Sequence, residues 1–439
     1  MKTLTVYSTI LVVILYYFLR FQFGWNNYVL SAYALLTFCL SSYGVLLITK
    51  DIVNNNRRGS VDSLIKILFI YTIILTLYTF YRGGYIGLLY SLKDYIAPLL
   101  IGYSVSFFIK KRNYPRLILF ISFICAVVGA IYLYEFYKFN IMGAGSMDYS
   151  HVMQQSLNVF TNENIKGGFD PNVIFNRNMG TKFIRLPGPL SQNNVTGLCL
   201  AIGTVLSIAT IRLGYPVIGK VLLIICITSL FSTMARTAII STLIGLFIYI
   251  SMVPRNRKLI STCLASFVIL LLFVVFYYYY FSAALQLMNP MRIMNTLIYI
   301  SSHLLQLLTL DRLYNVVFGS GFSYVDYKVN IFGPVLSSEL FFAQLITMYG
   351  LFPLILFITS VLRRSFKLIK LEKYKSFYGP DYIIVLVSFI VIIMMLVSTI
   401  HESAMVRPQL FPIFFIFLSI ISRYELYRDK NTMPRSALS

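Results

Sequence analysis

Charge is scarce in this chain: only 12% of its 439 residues are Asp, Glu, Lys or Arg, and 15 acidic residues stand against 37 basic ones. With 58% hydrophobic residues and a mean hydropathy of +0.77, that shortage excludes a soluble globule, because apolar runs repeatedly reach the length that crosses a bilayer. Cysteine is sparse as well. Cys39, Cys125, Cys199, Cys226 and Cys263 all fall inside apolar runs, spaced neither for a metal nor for a disulfide framework, so they pack and imply no redox chemistry. The sequence has no Asp-x-Asp metal motif, no Walker loop, no His-x-x-x-His pair and no Gly-x-Ser-x-Gly elbow. A nucleotide-bound or metal-bound substrate is therefore not expected, and no cofactor is. With no repeat between its halves, no low-complexity tract and no separate soluble domain, 1–439 is expected to form a single integral membrane domain.

What the chain does have is spanning runs of about 20 apolar residues, near 4–20, 28–48, 63–81, 87–109, 117–136, 193–211, 215–232, 237–253, 259–283, 339–361, 381–400 and 409–422. The expected fold is an all-α polytopic membrane protein of about twelve transmembrane helices. The first run follows Lys2 and mimics a signal peptide, but no small-x-small cleavage site follows it, so it is expected to stay as the first span. A net charge of +22 would suggest nucleic acid in a soluble protein. Here the basic residues cluster in alternate loops, at Lys50/Arg57/Arg58, Lys110 to Arg116, Arg255 to Lys258, Arg363 to Lys375 and Arg423 to Arg435. That is an orientation signal of the positive-inside kind, which puts both termini in the cytoplasm and calls for no nucleic-acid partner.

Two long polar stretches, 137–190 and 284–338, then fall on the periplasmic side as the first and second periplasmic loops. Each runs into an apolar helix through a segment rich in Gly, Arg and polar side chains. In RLPGPLSQNN, Arg185 can clamp phosphate oxygens in bidentate fashion, and Asn193 and Asn194 open a helix whose free N–H groups suit an anion; the same residues also serve as a helix cap and a headgroup contact. Arg236, in STMARTA, stands between two helices too closely spaced for a real loop, where it calls for a partner, a water-filled cavity or a route to the interface. The stretch from Arg312 to Glu339 carries Gly-Ser-Gly at 319–321, and Glu339 stands at the mouth of the following helix, as base or as dipole partner. HESAMVR at 401–407 places His401, Glu402 and Arg407 in one short turn. Lys93 and Asp94, adjacent in sequence and so not facing each other on a helix, either mark a polar cavity or precede a helix that begins near Tyr95.

The order R-x-x-G-x-x-x-x-N-N, then (S/T)-x-x-(S/A)-R-T-A, then a second loop with G-x-G, then a polar residue eleven positions before the Gly of Tyr-Gly-Leu, resembles the O-antigen polymerase and O-antigen ligase superfamily. The likeness covers mainly 185–365. In the ligases the residue eleven before that glycine is usually His; here it is Glu339, which favours a polymerase. The resemblance implies a GT-C-like glycosyltransferase that joins undecaprenyl-pyrophosphate-linked oligosaccharides outside the bacterial inner membrane. It also implies a chain-length regulator in that membrane as a partner. On this footing Arg185, Arg236 and Arg312, with Arg407, Asn193 and Asn194, bind pyrophosphate or glycan, and Glu339 or His401 takes the acceptor proton. Two rivals remain open: an O-antigen ligase acting on lipid A core, and a flippase for lipid-linked oligosaccharide, although the latter usually gathers its polar groups near the midplane.

Overall fold

The computed structural model describes residues 7–8, 10–14, 27–53, 60–140, 188–190, 193–233, 235–252, 317–319, 349–375, 379–399 and 409–432, all of them helix, turn or short connection without a strand. After a helical stretch at 7–14, the helices are α1 (Asn27–Val53), α2 (Ser60–Ser91), α3 (Ala97–Phe108), α4 (Tyr114–Asn140), α5 (Asn193–Arg212), α6 (Pro216–Thr233), α7 (Arg236–Met252), α8 (Leu351–Lys375), α9 (Pro380–Ser398) and α10 (Phe411–Thr432). Six stretches among them, Leu35–Val53, Val61–Tyr81, Lys111–Tyr137, Asn193–Arg212, Pro216–Thr233 and Pro380–Ser398, are long and apolar enough to cross a membrane, and Ala97–Phe108 and Thr237–Met252 are shorter apolar helices. The expected spans at 4–20 and 259–283 lie wholly or partly outside the described residues, as does most of both long loops.

Packing divides the helices into two groups that meet through α5 and α9. One group sets α4, α5, α6 and α7 together; the other sets α3 between α1 and α10, with α2 and α8 alongside. Every residue of α5 from Val195 to Thr210 is buried, as a helix surrounded by other helices must be. Its Thr204, Ser207 and Thr210 hydroxyls turn back onto carbonyls one turn earlier, for example Thr204 to Leu200 at 2.9 Å and Thr210 to Leu206 at 2.8 Å, so these hydroxyls enter the core with partners. Cys125, Cys199 and Cys226 are buried in the α4–α5–α6 contact, with Cys125 and Cys199 sulfurs 3.6 Å apart.

One end of the bundle is basic and closed by a polar network. The Tyr103 hydroxyl shares its proton between Asp51 Oδ2 (2.8 Å) and Asp62 Oδ1 (3.1 Å), and Lys66 pairs with Asp62 at 3.0 Å. Glu425 of α10 accepts from the Val61 backbone N–H at 2.6 Å, satisfying a donor in the first turn of α2. Nearby, Lys111 pairs with Asp381 at 2.6 Å, Tyr424 donates to the same carboxylate at 2.8 Å, and the Arg423 guanidinium lies 3.4 Å from the centre of the Phe107 ring. Burial first, and then the Asp381 carboxylate, hold the Tyr424 phenol above its ordinary range, so it remains a donor. The Tyr382 hydroxyl closes on the Met252 carbonyl at 2.6 Å, which brings the end of α7 to the start of α9. Four of the five basic clusters thus flank helix ends that hydrogen bonds or salt bridges bring together, and the fifth, at Arg363 and beyond, lies on α8, which packs on α9 and α2.

Three boundaries differ from expectation. The runs 63–81 and 87–109 are joined by helix that breaks at Gly84 (φ 64°, ψ −157°), and residues 92–96 form one π-helical turn, so the chain is already helical before Lys93, Asp94 and Tyr95. α4 continues to Asn140, four residues past the expected span end at 136. The third lies inside the expected span 339–361, which is interrupted before α8 begins at Leu351; residues 339–348 lie outside the described residues. The break is at Gly350, whose positive φ (84°) suits glycine, and a Cβ there would lie 2.6 Å from the Phe318 carbonyl carbon and the Val317 oxygen. Two sequence-remote backbones cross at that point. The Tyr71 hydroxyl of α2 ties them, 2.6 Å from the Phe318 carbonyl oxygen and 2.8 Å from that of Tyr349.

Candidate functional site

At the end of the bundle away from the basic network, the chain makes a junction from four helices and a turn. α5 opens at Asn193, whose Nδ2 donates to the Thr233 carbonyl at 2.6 Å, so the first residue of α5 is pinned to the last residue of α6. The α6–α7 connection is short, and the Ala235 N–H turns back to Thr233 Oγ1 at 3.3 Å. Arg236 is the first residue of α7. The α5 and α7 starts come close because residue 197 is glycine: a Cβ there would lie 2.5 Å from that of Ala235 and 3.0 Å from that of Ala238. Two helix N-termini, each the positive end of a helix dipole, therefore stand side by side.

The turn at 188–190 and the end of α4 complete the junction. Gly188 has φ 72°, and a Cβ on it would lie 2.7 Å from the Tyr132 ring and 2.9 Å from Thr196 Oγ1, so only glycine fits between α4 and α5. Leu190 is fully buried behind it. The Tyr132 hydroxyl donates to the Ser232 carbonyl at 3.2 Å, locking α4 to the end of α6.

Of the residues singled out from sequence, Asn193, Asn194 and the Arg236 backbone position come together here. Gly188, three positions after Arg185 in the chain, belongs to the same junction. Arg185, Arg312, Glu339, His401 and Arg407 lie outside the described residues.

Sequence reasoning passed over Glu135. It lies on α4 one turn beyond Tyr132, on the face that i, i+3 spacing gives the two in common. Its Oε2 is buried and has no hydrogen-bond partner. An acid in a span carries a penalty of about 2.5–3.5 kcal/mol at the centre on the insertion scale, and persists where it has a use. The signal was present as one acid inside the run Ile131-Tyr-Leu-Tyr-Glu-Phe-Tyr137, hidden by the apolar residues that make the run a span.

A recess lies within the α2–α8–α9–α10 group, about 60 Å³ in volume and walled by Leu68, Tyr349, Phe357, Leu396, Phe411 and Phe415 among others. Its lining is overwhelmingly apolar, which suits hydrocarbon. No group of three or more His, Cys, Asp or Glu side chains among the described residues could hold a metal ion. Comparison with protein-family models and with curated protein sequences gives no match.

Proposed function

We propose that the chain is a membrane glycosyltransferase of the O-antigen polymerase type, joining undecaprenyl-pyrophosphate-linked oligosaccharide repeats at the periplasmic face of a bacterial inner membrane. The observation that carries the reading is the junction. It joins the segment that follows Arg185 (Gly188 to Asn193) to the segment that presents Arg236 (Thr233 to Arg236), through the Asn193–Thr233 hydrogen bond. Those are the first two of the four motifs on which the resemblance rests. Paired helix N-termini beside an Arg suit a doubly charged pyrophosphate, and charge that develops on a leaving pyrophosphate is stabilised by the same groups. The basic end opposite is then cytoplasmic by the positive-inside rule, with both termini on that side.

In this scheme Arg185 and Arg236, with Arg312 and Arg407, hold the donor pyrophosphate, and the lipid carrier enters laterally from the bilayer. The donor is already activated, so the reaction calls for no nucleotide. The acceptor hydroxyl must lose a proton to a base, for which the sequence offers Glu339 and His401.

Arg185→Ala and Arg236→Ala are each expected to slow chain growth by about 10²–10³-fold, the scale of losing one charge-stabilising donor, with normal protein levels. The decisive measurement is the lipopolysaccharide ladder of a deletion strain. Core carrying at most one repeat supports a polymerase. Bare core with polymer left on its carrier identifies a ligase instead, and an unchanged ladder refutes both.

A further inference from the structure

The apolar residues of α2 divide between two adjoining faces. Ile67, Ile70, Ile74 and Leu77 recur at helical spacing and are exposed, whereas Leu68 and Tyr71 line the recess. α8 repeats the division, with Phe352, Ile355 and Leu356 exposed and Leu354, Phe357 and Ile358 lining the same recess. The α2 stripe belongs to Val61–Tyr81, a stretch long and apolar enough to cross a membrane, so its exposed side chains meet hydrocarbon. The recess is thus bordered on both helices by surface suited to lipid.

The way α8 is held leaves the gap. Among the described residues it packs on α9 and α2 and hardly on α10, and the chain enters it through the break at Gly350, beside the Tyr71 staple. α10 contributes Phe411, Phe414 and Phe415 to the wall, their ring centroids 4.9 to 6.4 Å apart. At about 60 Å³ the recess is roomy enough for water, but a buried water needs about two to four polar partners. The hydroxyls of the wall are already engaged. Tyr71 donates to the Phe318 and Tyr349 carbonyls, Thr399 Oγ1 donates to the Leu396 carbonyl at 2.6 Å, and the Tyr349 phenol bonds with the Thr72 side chain. No charged side chain is among the described lining residues, so nothing in them holds a phosphate.

We propose that the recess binds an acyl chain of a bilayer phospholipid, which supplies the packing that α8 and α10 do not give each other. Hydrocarbon of the bilayer is as apolar as the walls, so the gain is van der Waals contact for side chains that otherwise face a void. Charge and place commit the site to an ordinary phospholipid rather than to a lipid-pyrophosphate donor. A donor's distinguishing group is its pyrophosphate, which the described lining has no cation to receive. The recess also belongs to the α2–α8–α9–α10 group, whereas the junction belongs to α4, α5, α6 and α7. The proposal goes beyond the polymerase reading and does not depend on it.

The test uses the full chain, purified in detergent until bulk lipid is removed and given a limiting amount of phosphatidylethanolamine with a diazirine midway along one acyl chain. After illumination, labelled peptides are read by mass spectrometry. Label is expected to concentrate on recess-lining residues such as Phe357 and Phe414, to be lost in Leu354→Trp and Leu68→Phe, which fill the recess, and to persist in Ile355→Trp, which alters the exposed side of α8. Unlabelled phospholipid added back should raise the melting temperature of the unmodified chain and of Ile355→Trp, and much less that of the filled variants. Leu68→Phe, the smaller addition, carries the comparison if Leu354→Trp fails to fold. Label spread evenly along Ile67, Ile70, Ile74 and Leu77, no label in the recess, or an equal rise in melting temperature in the filled variants would each overturn the proposal. So would displacement of the probe by undecaprenyl phosphate but not by unlabelled phospholipid, which would make the recess a carrier site. No glycan transfer is measured, so failure here leaves the polymerase reading where it stands.

Discussion

Asn193 shows how much one amide holds at the junction. Its Nδ2 donates to the Thr233 carbonyl at 2.6 Å, joining the start of one helix to the end of another forty positions later in sequence. Asn193→Asp removes that donor and sets a carboxylate against a carbonyl. It is expected to lower stability by about 1–3 kcal/mol, read as a fall in the detergent-solubilised protein's unfolding temperature. Asn193→Ser, which keeps a short donor, is expected to lose less. The sequence made Asn193 legible as a residue that opens a helix, because asparagine before an apolar run is a start signal. Its partner was not legible, since a backbone carbonyl forty residues away leaves no mark on local composition. Glu135 was missed for a related reason: burial without a partner is a property of the assembled helices, and the surrounding Tyr, Leu and Phe only say that the run spans.

For helices, apolar runs located α4 to α7 and α9 to within a few residues, because twenty apolar positions between basic or Gly/Pro-bearing loops have little alternative to a spanning helix. The start of α8 was not legible. Residues 339–361 look like one apolar run, and at Gly350 the backbone of Phe318 crosses close behind, a contact that no window of sequence contains. From Leu351 twelve residues precede Arg363, about 18 Å of helix between the break and the basic cluster. The close approach of α5 and α7 depends on Gly197 in the same way. Gly197→Val would drive its side chain into Ala235 and Ala238 and push the two N-termini apart. The expected loss is about 1–3 kcal/mol in stability, measured by thermal unfolding. Under the proposed function, activity of the fraction that stays folded is expected to fall further, since the proposed pyrophosphate site uses both helix starts.

Across the whole molecule, basic residues gather at one end and the candidate site at the other, which makes orientation testable without reference to activity. Tyr85→Cys, next to the Gly84 break and 68% exposed in the parent, should react with an impermeant maleimide added to intact spheroplasts. Lys110→Cys, at the basic end, should react only after permeabilisation. The opposite pattern would invert the topology and move the proposed site to the cytoplasm. Tyr71 adds a different kind of consequence. By holding the Phe318 and Tyr349 carbonyls within reach of one phenol, it brings the two ends of the intervening segment to a single staple. One phenol on α2 thus holds two points of the chain at once, and Tyr71→Phe would remove the donor from both carbonyls together.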